Sequence, residues 1–342
     1  MSRADEGAQI EAFLDGAPFA VVGASTNRSK YGNKILRCYQ QNERRAIPIN
    51  PTATNIEGLE VRASLAAVPE RIHGVSVITP PAVTEKVIEE IIAEAFDPTE
   101  VTTFSGGPEV GQAFSALPFD HMIFTGATNI ARHILTAAAR NLVPVTLELG
   151  GKSPVVISRS ADLEQAIQRV MVGKTLNAGQ ICLAPDYLLV PEEKLEEVIS
   201  LATQSVNDMY ASLRDNDQYT AVINERHHKR LSSYLRDAEE LGCRIIPLNP
   251  ANEDFSEGTG KIPPTLIVSP ETDALCMEEE IFGPLLPIRT YKDFGETIDY
   301  INANPRPLAA YYFGTDKGEE AAFLHRTTSG GVCINDVILV RK

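Results

Sequence analysis

The chain has 342 residues, of which 46 are acidic and 31 basic, and the resulting net charge of −15 disfavours nucleic acid and anionic membrane surfaces as partners. With 43% hydrophobic residues it has a globular composition sufficient for at least two compact units, and no apolar run approaches the ~18 residues of a membrane span. The five cysteines form no C-x-x-C pair, which argues against a disulfide framework or a zinc site, and the start of the sequence shows no secretory pattern. A cytoplasmic protein acting on a small molecule, with no metal, is the expectation.

In chain order, "FAVVGAS", "AIPIN" and "GVSVITPP" read as short buried strands, with "NKILRCYQQ" and "TEKVIEEIIAEAF" as helices, the latter capped by Thr84. The alternation continues through "EVTTFSG", "HMIFTG" and "PVTLELGG", predicting one parallel, doubly wound sheet to about Gly151. Beyond it, a helix from Ala161 to Ala178 precedes the strand "YLLVPEE" and two further helices. The segment "NPANEDFSEGTGKIPP" reads as a surface loop, and "TLIVS", "LLPIRTY", "AAYYFGT" and "GGVCIND" complete a second α/β unit.

In "VVGASTNRSKYGNKILR", Gly23 ends a strand and Gly32 precedes a helix, so backbone N–H groups aided by Arg28 and Lys30 suit a pyrophosphate. Together with "PINP" and "VITPP", this segment resembles the small CoA-binding domain family, a Rossmann-like fold. The resemblance implies CoA or a related nucleotide near Gly23, Ala24, Ser25, Lys30 and Asn50. A stable scaffold with a vestigial site is the competing reading.

Five later stretches, "FDHMIFTGATNIARHI", "LELGGKSPVVI", "NAGQICLAPDYLLVP", "MEEEIFGPLLPI" and "SGGVCIND", resemble the aldehyde dehydrogenase superfamily in the right order. The wording of "PLAAYYFGTD" and "SGGVCIND" is nearest its coniferyl-aldehyde or long-chain type. Covalent aldehyde oxidation needs a thiolate, a hydride acceptor and a base that activates water. Cys182, on a turn that would expose its sulfur, suits the first task, and Glu148, at the end of an apolar strand beside two glycines, suits the third. The resemblance implies that Glu280 holds nicotinamide ribose hydroxyls, that Phe282 packs beside the nicotinamide, and that Gly126, Ala127 and Gly150 lie along NAD or NADP. Cys38, Cys243, Cys276 and Cys333 read as packed thiols, and Glu278, Glu279, His227 and His228 as solvated groups.

The expected organisation is a CoA-binding-like Rossmann unit over 1–95, the remainder of an aldehyde dehydrogenase nucleotide-binding domain over 96–152, and a C-terminally truncated catalytic domain over 153–342, a fusion in which the first unit completes the sheet. The family's P-W-N and K-P-S motifs are not found, the chain has no Trp, and Ala131 stands where the family has a second glycine. Three functions compete: NAD(P)-dependent oxidation of an aromatic or long-chain aldehyde to a carboxylic acid through a thioester on Cys182, a CoA-acylating variant, and a non-catalytic CoA- or nucleotide-binding protein. The retained Glu148 speaks against acylation of CoA, because thiolysis does not need that base. An oligomer is allowed for.

Overall fold

The computed structural model describes residues 15–97, 99–256, 258–270 and 273–338. The chain divides into two compact units between Ala113 and Phe114. The first contains β1 (Phe19–Val22), α1 (Tyr31–Gln41), β2 (Ala46–Ile49), β3 (Asn55–Ile56), β4 (Leu59–Glu60), β5 (Gly74–Val77) and α2 (Pro81–Ala95). Its parallel sheet has the order β2-β1-β5. The central strand β1 is wholly buried because side chains alternate to two covered faces: Val21 packs with Leu36 and Ile56, and Ala20 and Val22 with Ile49, Leu65 and Val87. Glu57 and Gly58, both at positive φ, close the β3–β4 hairpin in the conformation its twist requires.

A short helix, α3 (Pro108–Ser115), crosses the unit boundary in the chain. The second unit opens with β6 (Met122–Thr125), α4 (Thr128–Ala139) and β7 (Val145–Glu148), the two strands pairing in parallel. Then follow β8 (Pro154–Ile157), α5 (Leu163–Thr175), β9 (Tyr187–Pro191), α6 (Leu195–Met209), α7 (Glu225–Glu240), β10 (Arg244–Pro247) and β11 (Thr265–Val268). The last elements are α8 (Leu275–Glu278), β12 (Leu285–Tyr291), α9 (Phe294–Ala303), β13 (Ala309–Phe313), α10 (Lys317–Arg326) and β14 (Gly331–Ile334).

Strands β8 to β14 form one sheet of order β10-β11-β12-β9-β8-β13-β14, parallel except at its β10 edge. Val155, Ile157, Leu188, Val190 and Ile288 point to one face and meet Ile167, Met171, Val198 and Val206 of α5 and α6. Val156, Tyr187, Leu189 and Leu285 point to the other and meet Leu231, Tyr234, Ile298 and Phe323 of α7, α9 and α10. Two covered faces explain why these strands read as unbroken apolar runs. Side chains of Asp162, Asn224, Asp293 and Asp316 accept first-turn N–H groups and fix where α5, α7, α9 and α10 begin.

The α/β class with parallel sheets agrees with the sequence expectation, and three details correct it. Residues 101–106 of "EVTTFSG" form no strand and pair with none among the described residues. The β2-β1-β5 and β6-β7 ladders are separate sheets among the described residues, so the expected continuous sheet to Gly151 is not formed. Thr84 does not cap α2: the helix starts at Pro81, where proline's fixed φ suits a first turn, and the Thr84 hydroxyl donates back to the Thr79 carbonyl at 2.9 Å. Among the described residues no helix is long and apolar enough to cross a membrane.

Leu188 is 1% exposed in a strand with neighbours on both sides, whereas Leu142 is 89% exposed. Leu188→Ala should lower the unfolding free energy of this unit by about 2–5 kcal/mol in urea titrations, and Leu142→Ala by less than about 0.5 kcal/mol.

Candidate active site

Four neighbouring parallel strands, β12, β9, β8 and β13, receive their chain at one end of the sheet, and the segments feeding them carry the polar chemistry. Gly150, Gly151 and Lys152 lead from β7 into β8. The stretch from Leu176 to Asp186, which contains Cys182, leads from α5 into β9, and Glu280 to Pro284 lead into β12. Residues far apart in sequence thus gather at the amino ends of these strands.

Close backbone approach is what joins them. After α5 the chain turns through Asn177, Ala178 and Gly179, all at positive φ. A Cβ on Gly179 would stand 2.3 Å from the Gly283 carbonyl oxygen, so only glycine lets the cysteine turn rest on the Glu280 segment. A Cβ on Gly150 would stand 2.1 Å from a Glu280 carboxylate oxygen. Glu280 therefore lies on the turn that follows Glu148 and accepts the Gly151 N–H. The Gly150 carbonyl accepts Leu308 N–H at 3.2 Å, ahead of β13, and the Glu148 carbonyl accepts Gly126 N–H at 3.2 Å.

Cys182 is exposed on its turn. Its neighbours are fixed: the Tyr311 hydroxyl donates to the Leu183 carbonyl at 2.5 Å, and Gln180 accepts Ile223 N–H at 2.8 Å while donating to the carbonyls of Asn177 and Ala221 at 3.0 Å each. Glu148 ends β7 with an exposed side chain.

Beneath the turns lies a group of buried charges. Lys152 pairs with Asp186, their side chains 11% and 3% exposed, and also donates to the carbonyls of Cys276 at 2.8 Å and Glu279 at 3.1 Å. Asp186 accepts Ile281 N–H at 2.8 Å. Arg230 of α7 donates to the carbonyls of Ile281 at 2.7 Å and Glu280 at 3.3 Å. Lys174 is fully buried and donates to the Pro185 carbonyl at 2.9 Å, and burial pushes its ammonium down to about 8. Burial, with Asp186 nearby, pushes the Glu280 carboxyl up to about 7, against the Gly151 N–H, Lys152 and Arg230, which favour its charged form.

The remaining expected residues fall as follows. Ala127 precedes α4 in extended conformation, while the methyl of Ala131 is buried within the unit. Phe282 is half-buried at φ 44°, a strained value for a bulky residue, between Glu280 and the glycine under the cysteine turn. Glu278 and Glu279 are exposed, and Cys276 is buried with its thiol pushed up to about 12 by desolvation. Cys38 is exposed, which corrects its reading as a packed thiol: it stands on the solvent side of α1. His227 and His228 are half-buried rather than solvated, since α7 lays that turn beside Arg230. Among the described residues no group of three or more His, Cys, Asp or Glu could hold a metal.

In the first unit, Gly23 adopts φ 86°, and a Cβ on Gly32 would stand 2.0 Å from the Gly23 carbonyl oxygen, so the turn and α1 pack backbone to backbone. The Asn50 amide donates to the Ala24 carbonyl at 2.8 Å, Ser25 accepts Asn27 N–H at 3.1 Å, and exposed Lys30 precedes α1. Lys152, Lys174, Asp186 and Arg230 carry no signal of their own in the sequence. Lys152 and Asp186 lie inside motif stretches, in "LELGGKSP" and "NAGQICLAPDY", but only the fold shows that they meet.

The sequence pattern of the aldehyde dehydrogenase family matches residues 64–342. The chain belongs to that family. Residues 64–95, part of the first unit, fall inside the match. Among named relatives, it is 52% identical over 292 residues to the "Probable coniferyl aldehyde dehydrogenase" of Caulobacter vibrioides, covering 85% of this chain and 59% of that protein. It is 57% identical to the coniferyl aldehyde dehydrogenase of a Pseudomonas species, over 75% of this chain and 53% of that one. The fold superposes on the substrate-bound state of Staphylococcus aureus AldH with a TM-score of 0.69 at 36% identity, covering 78% of this chain and 58% of that one. The chain thus spans somewhat over half the length of these relatives.

A carboxyl whose folded value is raised to about 7 from 4.5 favours the protonated form. Its stabilising contribution is complete below the unfolded value and is lost as pH rises through the folded one. Glu280→Gln should therefore match the parent in melting temperature near about pH 5 and exceed it near about pH 8, as read by circular dichroism.

Proposed function

We propose that the second unit performs covalent oxidation of an aldehyde to a carboxylic acid, with NAD or NADP as acceptor. The observation that carries this reading is the meeting of the Cys182 turn, the Gly150–Gly151 turn after Glu148 and the Glu280 segment, through a backbone approach of Gly179 to Gly283 that only glycine permits and the Glu280 carboxylate lying against Gly150. Cys182 is exposed just after the left-handed turn, where a thiolate can add to a carbonyl carbon and its own N–H can face the oxyanion. The bound dinucleotide supplies the hydride acceptor. Glu280, half-buried over the Gly-Gly turn with its carboxyl accepting the Gly151 N–H, fits ribose hydroxyls, and Phe282 beside it fits the flat face of the ring. Hydride loss leaves a thioester on Cys182. Glu148 takes a proton from water, the resulting hydroxide adds to the thioester carbonyl, and the C–S bond breaks to release the acid and return the thiolate.

An aromatic aldehyde of the coniferyl kind is the favoured substrate, supported by relatives at 52% and 57% identity that carry that name. A narrower reading concerns the first unit, where the backbone packing of Gly23 on Gly32 in the first turn of α1 supports a nucleotide site, with CoA as the candidate, near Ala24, Ser25, Lys30 and Asn50.

Hydrolysis of an activated aryl ester needs Cys182 but no dinucleotide, so Cys182→Ala should reduce it by about a thousandfold or more. Glu148→Gln should retain a first-turnover burst of NADH with coniferyl aldehyde and lose about 10²–10⁴-fold in steady turnover. Ester hydrolysis unaffected by Cys182→Ala would rule the reading out. Calorimetry with CoA, which should bind the parent and weaken in Lys30→Ala, checks the first unit separately.

A further inference from the structure

Resting on the reading of Glu280 as the ribose anchor, we infer that the buried Lys152–Asp186 pair is a positioning device that fixes both the place and the charge of Glu280. The pair joins all three segments of the site. Lys152 belongs to the turn after Glu148, Asp186 ends the cysteine segment, and between them they hold the backbone on both sides of Glu280 through the Cys276 and Glu279 carbonyls and the Ile281 N–H. With side chains 11% and 3% exposed, the two charges lie where a pair costs desolvation energy unless its hydrogen bonds are met, and here they are met by the backbone of residues 276–281. A merely stabilising contact could be replaced by apolar packing. A contact that clamps a catalytic loop cannot, because the carbonyls and the N–H would lose their partners.

The same geometry places opposite charges around one carboxyl. Asp186 at the start of β9 opposes the ionised form of Glu280, while Lys152 ahead of β8 and Arg230 on α7 favour it, as does Lys174 on α5. The Gly151 N–H adds a neutral donor. Deleting either member of the pair therefore perturbs Glu280 with opposite sign, which separates an electrostatic setter from a simple structural tie.

The test follows the Glu280 carboxyl directly by carbon-13 NMR in the full chain labelled at glutamate side-chain carboxyls, with Glu280→Gln identifying the resonance. Lys152→Met should raise the Glu280 titration midpoint and Asp186→Asn should lower it, each by about one pH unit, while Lys152→Arg stays near the parent. In parallel, Lys152→Met should raise the KM for the dinucleotide about tenfold with a much smaller change in kcat, and Lys152→Arg should recover most of that loss. Midpoints that move the same way in both variants, or that do not move in folded protein, overturn the inference. Should Lys152→Met fail to fold, Asp186→Asn carries the same test through its downward shift against Lys152→Arg. Variants that show the expected midpoint shifts beside a parent protein that binds neither NADH nor NADPH by fluorescence would instead overturn the ribose reading, so the two failures are distinct.

Discussion

The contact between residue 179 and the carbonyl of residue 283 constrains everything around it. No side chain fits between the two, since a Cβ would come within 2.3 Å of the oxygen, and this backbone approach sets the height at which the cysteine turn sits over the loop carrying Glu280. The three consecutive left-handed residues, the strained Phe282 and the buried Lys174 behind the turn are arranged around that approach. Strain of this kind persists only where surrounding structure over-determines it, and the laddered strands β12, β9 and β8 supply that surrounding.

In open α/β sheets ligands usually gather outside the carboxyl ends of the strands. Here β6 and β7 obey the pattern, with Gly126 and Glu148 at or just past their carboxyl ends, whereas β8, β9, β12 and β13 contribute from their amino ends. The candidate site of the second unit is accordingly assembled from the exits of a small parallel pair and the entrances of a large sheet. That is why its parts lie in loops between elements, where sequence can change to suit chemistry while the strands keep their apolar alternation.

Much of this was legible from residues alone. The apolar runs at β8, β9, β12 and β13 announce strands because both their faces are covered, and Gly150, Gly179, Cys182 and Glu280 stand in short motif stretches. The less legible parts depend on distance in space. Nothing in the neighbours of Lys152 reveals that it meets Asp186, 34 residues away, or a carbonyl 127 residues away. The expected strand at residues 100–106 failed for a related reason: β-branched residues favour a strand, but a strand also needs a ladder partner, and none is present among the described residues. The family match likewise reaches back to residue 64, into the stretch holding β5 and α2 that the sequence expectation gave to a separate unit.

The strand order has a mechanical consequence. Because β12, β9, β8 and β13 are cross-laddered, shifting one of their entry loops means shearing a sheet whose inner strands are buried on both faces. Among the described residues the pair β6–β7 has only one ladder, and Ile123 within β6 is 69% exposed. Of the candidate residues, Cys182 and Glu280 therefore stand on stiff supports and Gly126 and Glu148 on a compliant one, so thermal motion among them is borne by the second pair.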